Sequence, residues 1–140
     1  MAEALFGDYA PNGKLPVTFY QGTENLPEFT DYSMAGRTYR YTDKNILYPF
    51  GYGLTYGTIS YSGAKTEQET SAVLDDVTVC TKVKNESAYP LHESVEVYVK
   101  YKNAQPDEPG FQLKGIACVE LQAGCLLYTS PSPRDISGSR

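Results

Sequence analysis

The run Gly36-Arg37-Thr38-Tyr39-Arg40-Tyr41 is where residue types and spacing come closest to chemistry. In an extended backbone alternate side chains share a face, so Arg37, Tyr39 and Tyr41 would line up together. A guanidinium flanked by two phenols can hydrogen-bond the hydroxyls of a sugar; the same pattern also suits an arginine tied to a buried carboxylate. These three are the candidate substrate-binding residues, at a rim only. The acidic residues carry less. Glu67 with Glu69, Asp75 with Asp76, and Asp107 with Glu108 sit in polar, turn-like runs that read as solvated loop charges, so no catalytic carboxylate is assigned. Asp8 is expected to accept backbone hydrogen bonds in the Pro11-Asn12-Gly13 turn.

Metal and nucleophile chemistry find no support either. His92 is the only histidine and lies beside a turn without a second ligand nearby in sequence. Cys80, Cys118 and Cys125 form no CxxC pair, and an odd count argues against a closed disulfide framework. Cys80 and Cys118 fall in strand-like runs and are expected to be buried small apolar residues. No metal site and no cofactor are expected. Gly51, Gly53 and Gly57 do not make a dinucleotide fingerprint, since the spacing is wrong and no strand with a downstream acid surrounds them.

What must position these residues is a chain with a composition ordinary for a globular protein, 41% hydrophobic and 21% charged, but with 13 Tyr and no Trp. Tyrosine has an apolar ring and a polar tip, which suits half-buried strands, interfaces and sugar-contacting surfaces. The net charge of −5, without a Lys/Arg cluster, excludes nucleic acid and anionic membranes as expected partners. No stretch approaches the roughly 20 apolar residues that cross a bilayer, and the N-terminus shows no export signal. Localisation stays open on these grounds.

Three parts follow along the chain. Residues 1–58 begin with a short helix, Met1 to Phe6, that Gly7 can cap, and continue as a Pro/Gly/Asn/Tyr-rich stretch of connecting loops. Such a stretch buries too little apolar surface to offset ordering costs of about 1–2 kcal/mol per residue, so it needs a partner surface. Residues 59–124 change to period-two alternation: Val77, Val79, Thr81 and Val83 share one face, as do Val95, Val97, Val99 and Tyr101, and "QLKGIACVEL" makes a further strand. This predicts an incomplete all-β sandwich of the immunoglobulin or fibronectin III-like kind. A complete one takes about 100 residues for seven strands, and 59–124 has length for about four or five. Residues 125–140 read as a disordered tail rich in Ser, Pro and Arg. "CLLYTSPSPRD" also resembles the translation of a transposon-end adapter used in sequencing libraries, an origin that would mean the gene was cut near Gly124 and continues through the missing strands.

"LFGDYAPNGKLPVTF" (Leu5 to Phe19), "GRTYRYTDKNILYPFGYGLTY" (Gly36 to Tyr56) and "LKGIACVELQAG" (Leu113 to Gly124), in this order and spacing, resemble the C-terminal portion of glycoside hydrolase family 3. The resemblance implies that residues 1–58 are the loop-rich end of an α/β sandwich domain plus linker, followed by a truncated fibronectin III-like domain. In "YPFGYGLTY", Pro49 and the glycines would let the rings cover a junction between domains. It further implies a parent that is an exo-acting, retaining β-xylosidase or β-glucosidase, plausibly secreted or periplasmic. In such an enzyme two carboxylates about 5–5.5 Å apart do the chemistry, and both would lie outside this chain. The chain itself is then expected to be inactive, with the remainder of the parent chain as its partner and a β-linked oligosaccharide as the parent's substrate. The alternative is a stand-alone fibronectin III-like binding module. Asn85-Glu86-Ser87 is a glycosylation triplet, meaningful only for a eukaryotic secreted parent.

Overall fold

The computed structural model describes residues 2–24, 26–42, 44–66, 77–103, 105 and 108–129. Nine elements follow in order: α1 (Ala2–Phe6), β1 (Phe19–Tyr20), α2 (Thr38–Tyr41), β2 (Ile46–Tyr48), β3 (Ile59–Thr66), β4 (Val79–Asn85), β5 (Leu91–Lys100), β6 (Phe111–Leu121) and β7 (Leu126–Thr129). Strand dominates. The chain divides into two compact units, one of Met1–Asn12, Leu54–Val97 and Lys114–Arg140, the other of Gly13–Gly53 and Tyr98–Leu113. "YPFGYGLTY" is therefore shared, Tyr48 to Gly53 in the second unit and Leu54 to Tyr56 in the first. Glu67, Glu69, Asp75, Asp76 and Asp107 lie outside the described residues.

In the first unit, α1 ends as its sequence requires. Gly7 turns left-handed at φ 84°, and the Asp8 N–H donates back to the Glu3 carbonyl at 2.8 Å, the closing bond that a C-terminal glycine makes possible. The following turn is held by Tyr9, whose hydroxyl donates to Asn12 Oδ1 at 2.5 Å. Among the described residues, no hydrogen bond reaches the Asp8 carboxylate, so the expected Asp8 anchor gives way to a phenol that reaches the same turn.

β3, β4 and β7 form an antiparallel sheet in that order. The β3–β4 register runs Ile59↔Asn85 and Tyr61↔Val83, then shifts between Ser62 and Lys65, where Gly63 adopts φ 64°. A bulge of this kind places glycine where a side chain would be strained. β5 and β6 make the other sheet. Val83 of β4, Val95 of β5 and Leu121 of β6 form the core, with Ile59, Val119 and Leu127 packed on it. The expected alternation holds at the centre and fails at the ends: Val95 is buried, but Val99 and Tyr101 are nearly half exposed, while the same face extends backwards to Leu91 and Glu93.

The expectation of a tail from Cys125 is corrected by β7. Leu126–Thr129 pairs with β4 through Val83↔Leu127 and Thr81↔Thr129, and Leu127 joins the core margin. Leu-Leu-Tyr-Thr is strand-favouring, and a free β4 edge accepts any such segment within reach. Residues 130–140 lie outside the described ones.

Two polar groups sit inside this unit. Asn85 is fully buried; its Nδ2 donates to the carbonyls of Tyr89 at 2.8 Å, Leu121 at 3.2 Å and Gln122 at 3.3 Å, and its Oδ1 accepts the Ser87 N–H at 2.8 Å. The nitrogen that a glycan would need is thus consumed. Glu93 is 5% exposed and accepts the Tyr61 hydroxyl at 2.7 Å; a buried carboxylate requires such a donor. Burial first, then that hydrogen bond and the charges of Glu93 and Glu96, push the Tyr61 phenol well above its ordinary value of 10.0. Folded Tyr61 keeps its proton where the unfolded phenol has lost it, so its contribution is complete below that ordinary value and is lost as pH rises above it. The urea midpoint is expected to fall between about pH 9 and pH 11, and Tyr61→Phe to flatten that fall. An equal fall in the variant would remove Tyr61 as its source.

The second unit is mostly irregular chain held by specific bonds. β1 and β2 pair antiparallel, Phe19↔Tyr48 and Tyr20↔Ile46. The Leu15 N–H donates to the Tyr52 carbonyl and the Gly51 N–H to the Leu15 carbonyl, both at 2.8 Å. Here glycine is compulsory twice. Gly51 adopts φ 77°, and a Cβ on Gly53 would run into the Gly13 carbonyl oxygen.

Candidate functional site

The second unit contains a cavity of about 530 Å³ between the β1 segment and α2, within the usual size range for small-ligand sites. Tyr20, Tyr39, Tyr41 and Phe50 give it aromatic walls, with Met34 and Val17 adding apolar surface and Thr18, Thr38 and Arg40 the polar groups.

Residues 37–41 are not extended, which corrects the expected alignment of Arg37, Tyr39 and Tyr41. Thr38–Tyr41 is a single helical turn preceded by Arg37 in extended backbone, φ −111° and ψ 146°. About 100° separates successive residues on a helix, so the single face that a strand gives to i and i+2 is lost, although Tyr39 and Tyr41 both border the cavity. The turn closes locally through the Thr42 N–H donating to the Thr38 carbonyl at 3.2 Å and is fixed by a tertiary bond that local sequence does not announce, the Thr38 N–H donating to the Tyr20 hydroxyl at 2.8 Å. Thr38 itself has φ 57°. For a β-branched residue that is a costly conformation, of order 1–3 kcal/mol, which its surroundings must hold.

Each candidate residue has a definite place. Arg37 leaves the cavity wall: its Nη2 donates to the carbonyls of Glu28 at 3.1 Å and Asp31 at 2.7 Å. Its partners are carbonyls rather than a buried carboxylate. Tyr39 lines the cavity but commits its ring to packing, stacked on Phe50 at 4.2 Å and edge-on to Phe111 at 5.4 Å and Tyr98 at 6.2 Å. Its hydroxyl accepts the Leu113 N–H at 3.3 Å. Tyr41 lines the cavity. Sequence reasoning missed Arg40, because an extended segment puts it on the opposite face from Tyr39. In the helical turn its Nε donates to the Tyr39 hydroxyl at 3.5 Å, and its guanidinium carbon lies 5.8 Å from the ring centroid. That hydrogen bond, outweighing partial burial, holds the guanidinium more firmly protonated than usual.

Chemically, such a wall can bind a hydroxylated or aromatic ligand, and among the described residues no Asp or Glu lines it. His92 lies elsewhere, its ring 5.7 Å from that of Tyr9. Among the described residues no group of three or more His, Cys, Asp or Glu is placed to hold a metal ion.

Comparison with known proteins adds to this geometry. Residues 1–56 match the glycosyl hydrolase family 3 C-terminal domain. A xylan 1,4-β-xylosidase of Xylanibacter ruminicola is 44% identical over 125 residues, covering 89% of this chain and 14% of the relative. A periplasmic β-glucosidase of Salmonella typhimurium is 32% identical over 89% of this chain and 18% of its own length. The crystal structure of a family 3 β-glucosidase of Bifidobacterium adolescentis superposes with a TM-score of 0.78 at 28% identity, covering 94% of this chain and 21% of that one. The chain thus spans about a sixth of the length of the curated relatives it matches.

Proposed function

We propose that this chain is a non-catalytic C-terminal portion of an exo-acting, retaining β-glycosidase of family 3, of β-xylosidase or β-glucosidase type. In this reading β3 to β7 are part of a fibronectin III-like domain. The observation that carries it is coverage: relatives of both names align with 89% of this chain, well past the 56 residues of the C-terminal domain match, while it accounts for 14–18% of them. The cavity supports the same reading. It offers Tyr41 and Arg40 for contact with a hydroxylated ligand, and among the described residues none of its lining is one of the carboxylates that glycoside cleavage by retention uses. A free-standing fibronectin III-like module accounts for the sheets but leaves residues 1–56 without a role.

The test is to read the genomic DNA on both sides of this gene segment and to assay the chain on aryl β-xylosides and β-glucosides. The expected result is an open reading frame that continues upstream through carboxylate-bearing domains, with no hydrolysis by the 140-residue chain. A genomic start at Met1 and stop after Arg140, or release of the aryl alcohol by the chain itself, would overturn the proposal.

A further inference from the structure

Between Leu26 and Arg37 the second unit carries a loop whose exposure and rigidity are in contrast. Phe29 is 95% and Tyr32 91% exposed. Single exposed apolar residues are commonplace on protein surfaces. These two, three residues apart, sit on a backbone tied by several specific bonds. The Asp31 N–H donates to the Glu28 carbonyl at 3.0 Å, and the Arg37 N–H to the Met34 carbonyl at 3.0 Å. The Arg37 side chain then bridges the Glu28 and Asp31 carbonyls. Asp31 closes the far side, accepting the Ser33 N–H at 2.8 Å and the Ser33 hydroxyl at 3.1 Å, and these bonds, with the Arg37 charge, hold its carboxyl below the usual range.

A loop that merely connects two elements gains nothing from such a clasp. A loop that presents two rings to a partner does, because the ordering cost of association is then met before the partner arrives. Rigid aromatic anchors surrounded by weaker contacts are the form in which association energy concentrates. The chemistry of the loop also selects the kind of partner. The clasp occupies the Glu28, Asp31 and Met34 carbonyls and the Asp31 carboxylate and leaves the two rings together with the Glu28 carboxylate. A polypeptide surface with an apolar centre fits the rings.

We propose that the loop Glu28–Met34 is a preformed docking ridge, with Phe29 and Tyr32 as anchors and Arg37 as its positioning residue, for the remaining polypeptide of a family 3 glycosidase. The inference rests on the reading given under Proposed function, and on the share of the matched relatives that this chain leaves unaccounted for, 86% of the xylosidase. The exposed Glu28 and Asp31 carboxylates flank the rings, so the partner surface is apolar where it meets Phe29 and Tyr32 and polar at its margin, within the domain that residues 1–56 match.

The test grafts this chain onto the upstream part of the xylosidase relative, in place of that relative's own matching 125 residues. The wild-type graft is expected to hydrolyse an aryl β-xyloside and to melt cooperatively. Phe29→Ser combined with Tyr32→Ser should lower the melting midpoint of the graft by at least about 2 °C, with KM unchanged and with the far-ultraviolet spectrum of the isolated chain unchanged. Arg37→Lys should give a smaller shift of the same sign. A midpoint unmoved by the double substitution overturns the ridge alone. So does a rise in KM at constant midpoint, which would make the rings a substrate contact, or an isolated chain that goes from dimer to monomer in sedimentation when they are removed, which would make the partner a second copy. A wild-type graft that fails to hydrolyse brings down the glycosidase reading and the ridge with it, before any variant is compared.

Discussion

Asn85→Ala is expected to destabilise the chain by about 3–5 kcal/mol, read as a drop in urea midpoint at unchanged slope. The side chain is fully buried and ties four backbone groups together: the carbonyls of Tyr89, Leu121 and Gln122 and the N–H of Ser87. Alanine leaves all four without their partner, and each polar group left buried and unpaired costs about 1–3 kcal/mol, some of which water recovers. The site is also a junction. The Asn85 N–H donates to the Cys125 carbonyl at 3.1 Å and the Glu86 N–H to the Thr58 carbonyl at 2.9 Å, so the end of β4 is held to the segments entering β3 and β7. Because a domain of this size has about 5–15 kcal/mol of stability in all, the change should remove a large part of it. Asn85→Asp is expected to fare no better, since a carboxylate would face three carbonyl oxygens. A loss under about 1 kcal/mol for Asn85→Ala would show that the four groups find other partners and that the junction is not where the unit is fastened.

Much of this arrangement is legible in the amino-acid sequence. Period-two alternation marks β4, β5 and β6, and Gly7 marks the end of α1, because those signals arise from the chain's own geometry. Where tertiary partners decide, the sequence is silent. Glu93 falls on the valine face by alternation, where a carboxylate is out of place by residue type, and it is tolerated there because Tyr61 supplies a donor that the sequence does not announce. Asn85 reads as half of a glycosylation triplet, whereas its burial and four bonds make it the polar centre of the unit. Leu126–Thr129 reads as part of a tail rich in serine and proline, and becomes β7 because an available strand edge outweighs neighbouring composition.

The site is legible in residue type and not in geometry. Tyr39, Arg40 and Tyr41 border the cavity and Arg37 does not, and which of them border it depends on one helical turn. Thr, Tyr, Arg and Tyr are residues that favour strand at least as much as helix. What selects the turn is Tyr20, eighteen residues away, accepting the Thr38 N–H, together with the Gly110 N–H donating to the Arg40 carbonyl at 2.7 Å. The rigid loop that precedes it is hidden for a similar reason: an arginine that clasps carbonyls looks in sequence like an arginine that waits for a ligand.

Tyr39→Ala is expected to cost about 2–3 kcal/mol, somewhat under the usual penalty for deleting a buried aromatic because the ring is only partly covered. It removes the stack on Phe50 and both edge contacts to Phe111 and Tyr98, and such ring pairs contribute about 0.5–1.5 kcal/mol each beyond the area they bury. Tyr39→Phe keeps the ring and loses only the acceptor for the Leu113 N–H and for Arg40, so it should cost under about 1 kcal/mol. Since the chain has 13 Tyr and no Trp, tyrosine supplies the near-ultraviolet ellipticity, and the loss of an ordered, stacked phenol in Tyr39→Ala should lower it visibly. The pair of variants separates two roles for the same residue. If Tyr39 packs, stability and ellipticity fall together in Tyr39→Ala and scarcely move in Tyr39→Phe. If instead its phenol serves a bound sugar, both variants keep the stability of the wild type, and the packing assignment fails.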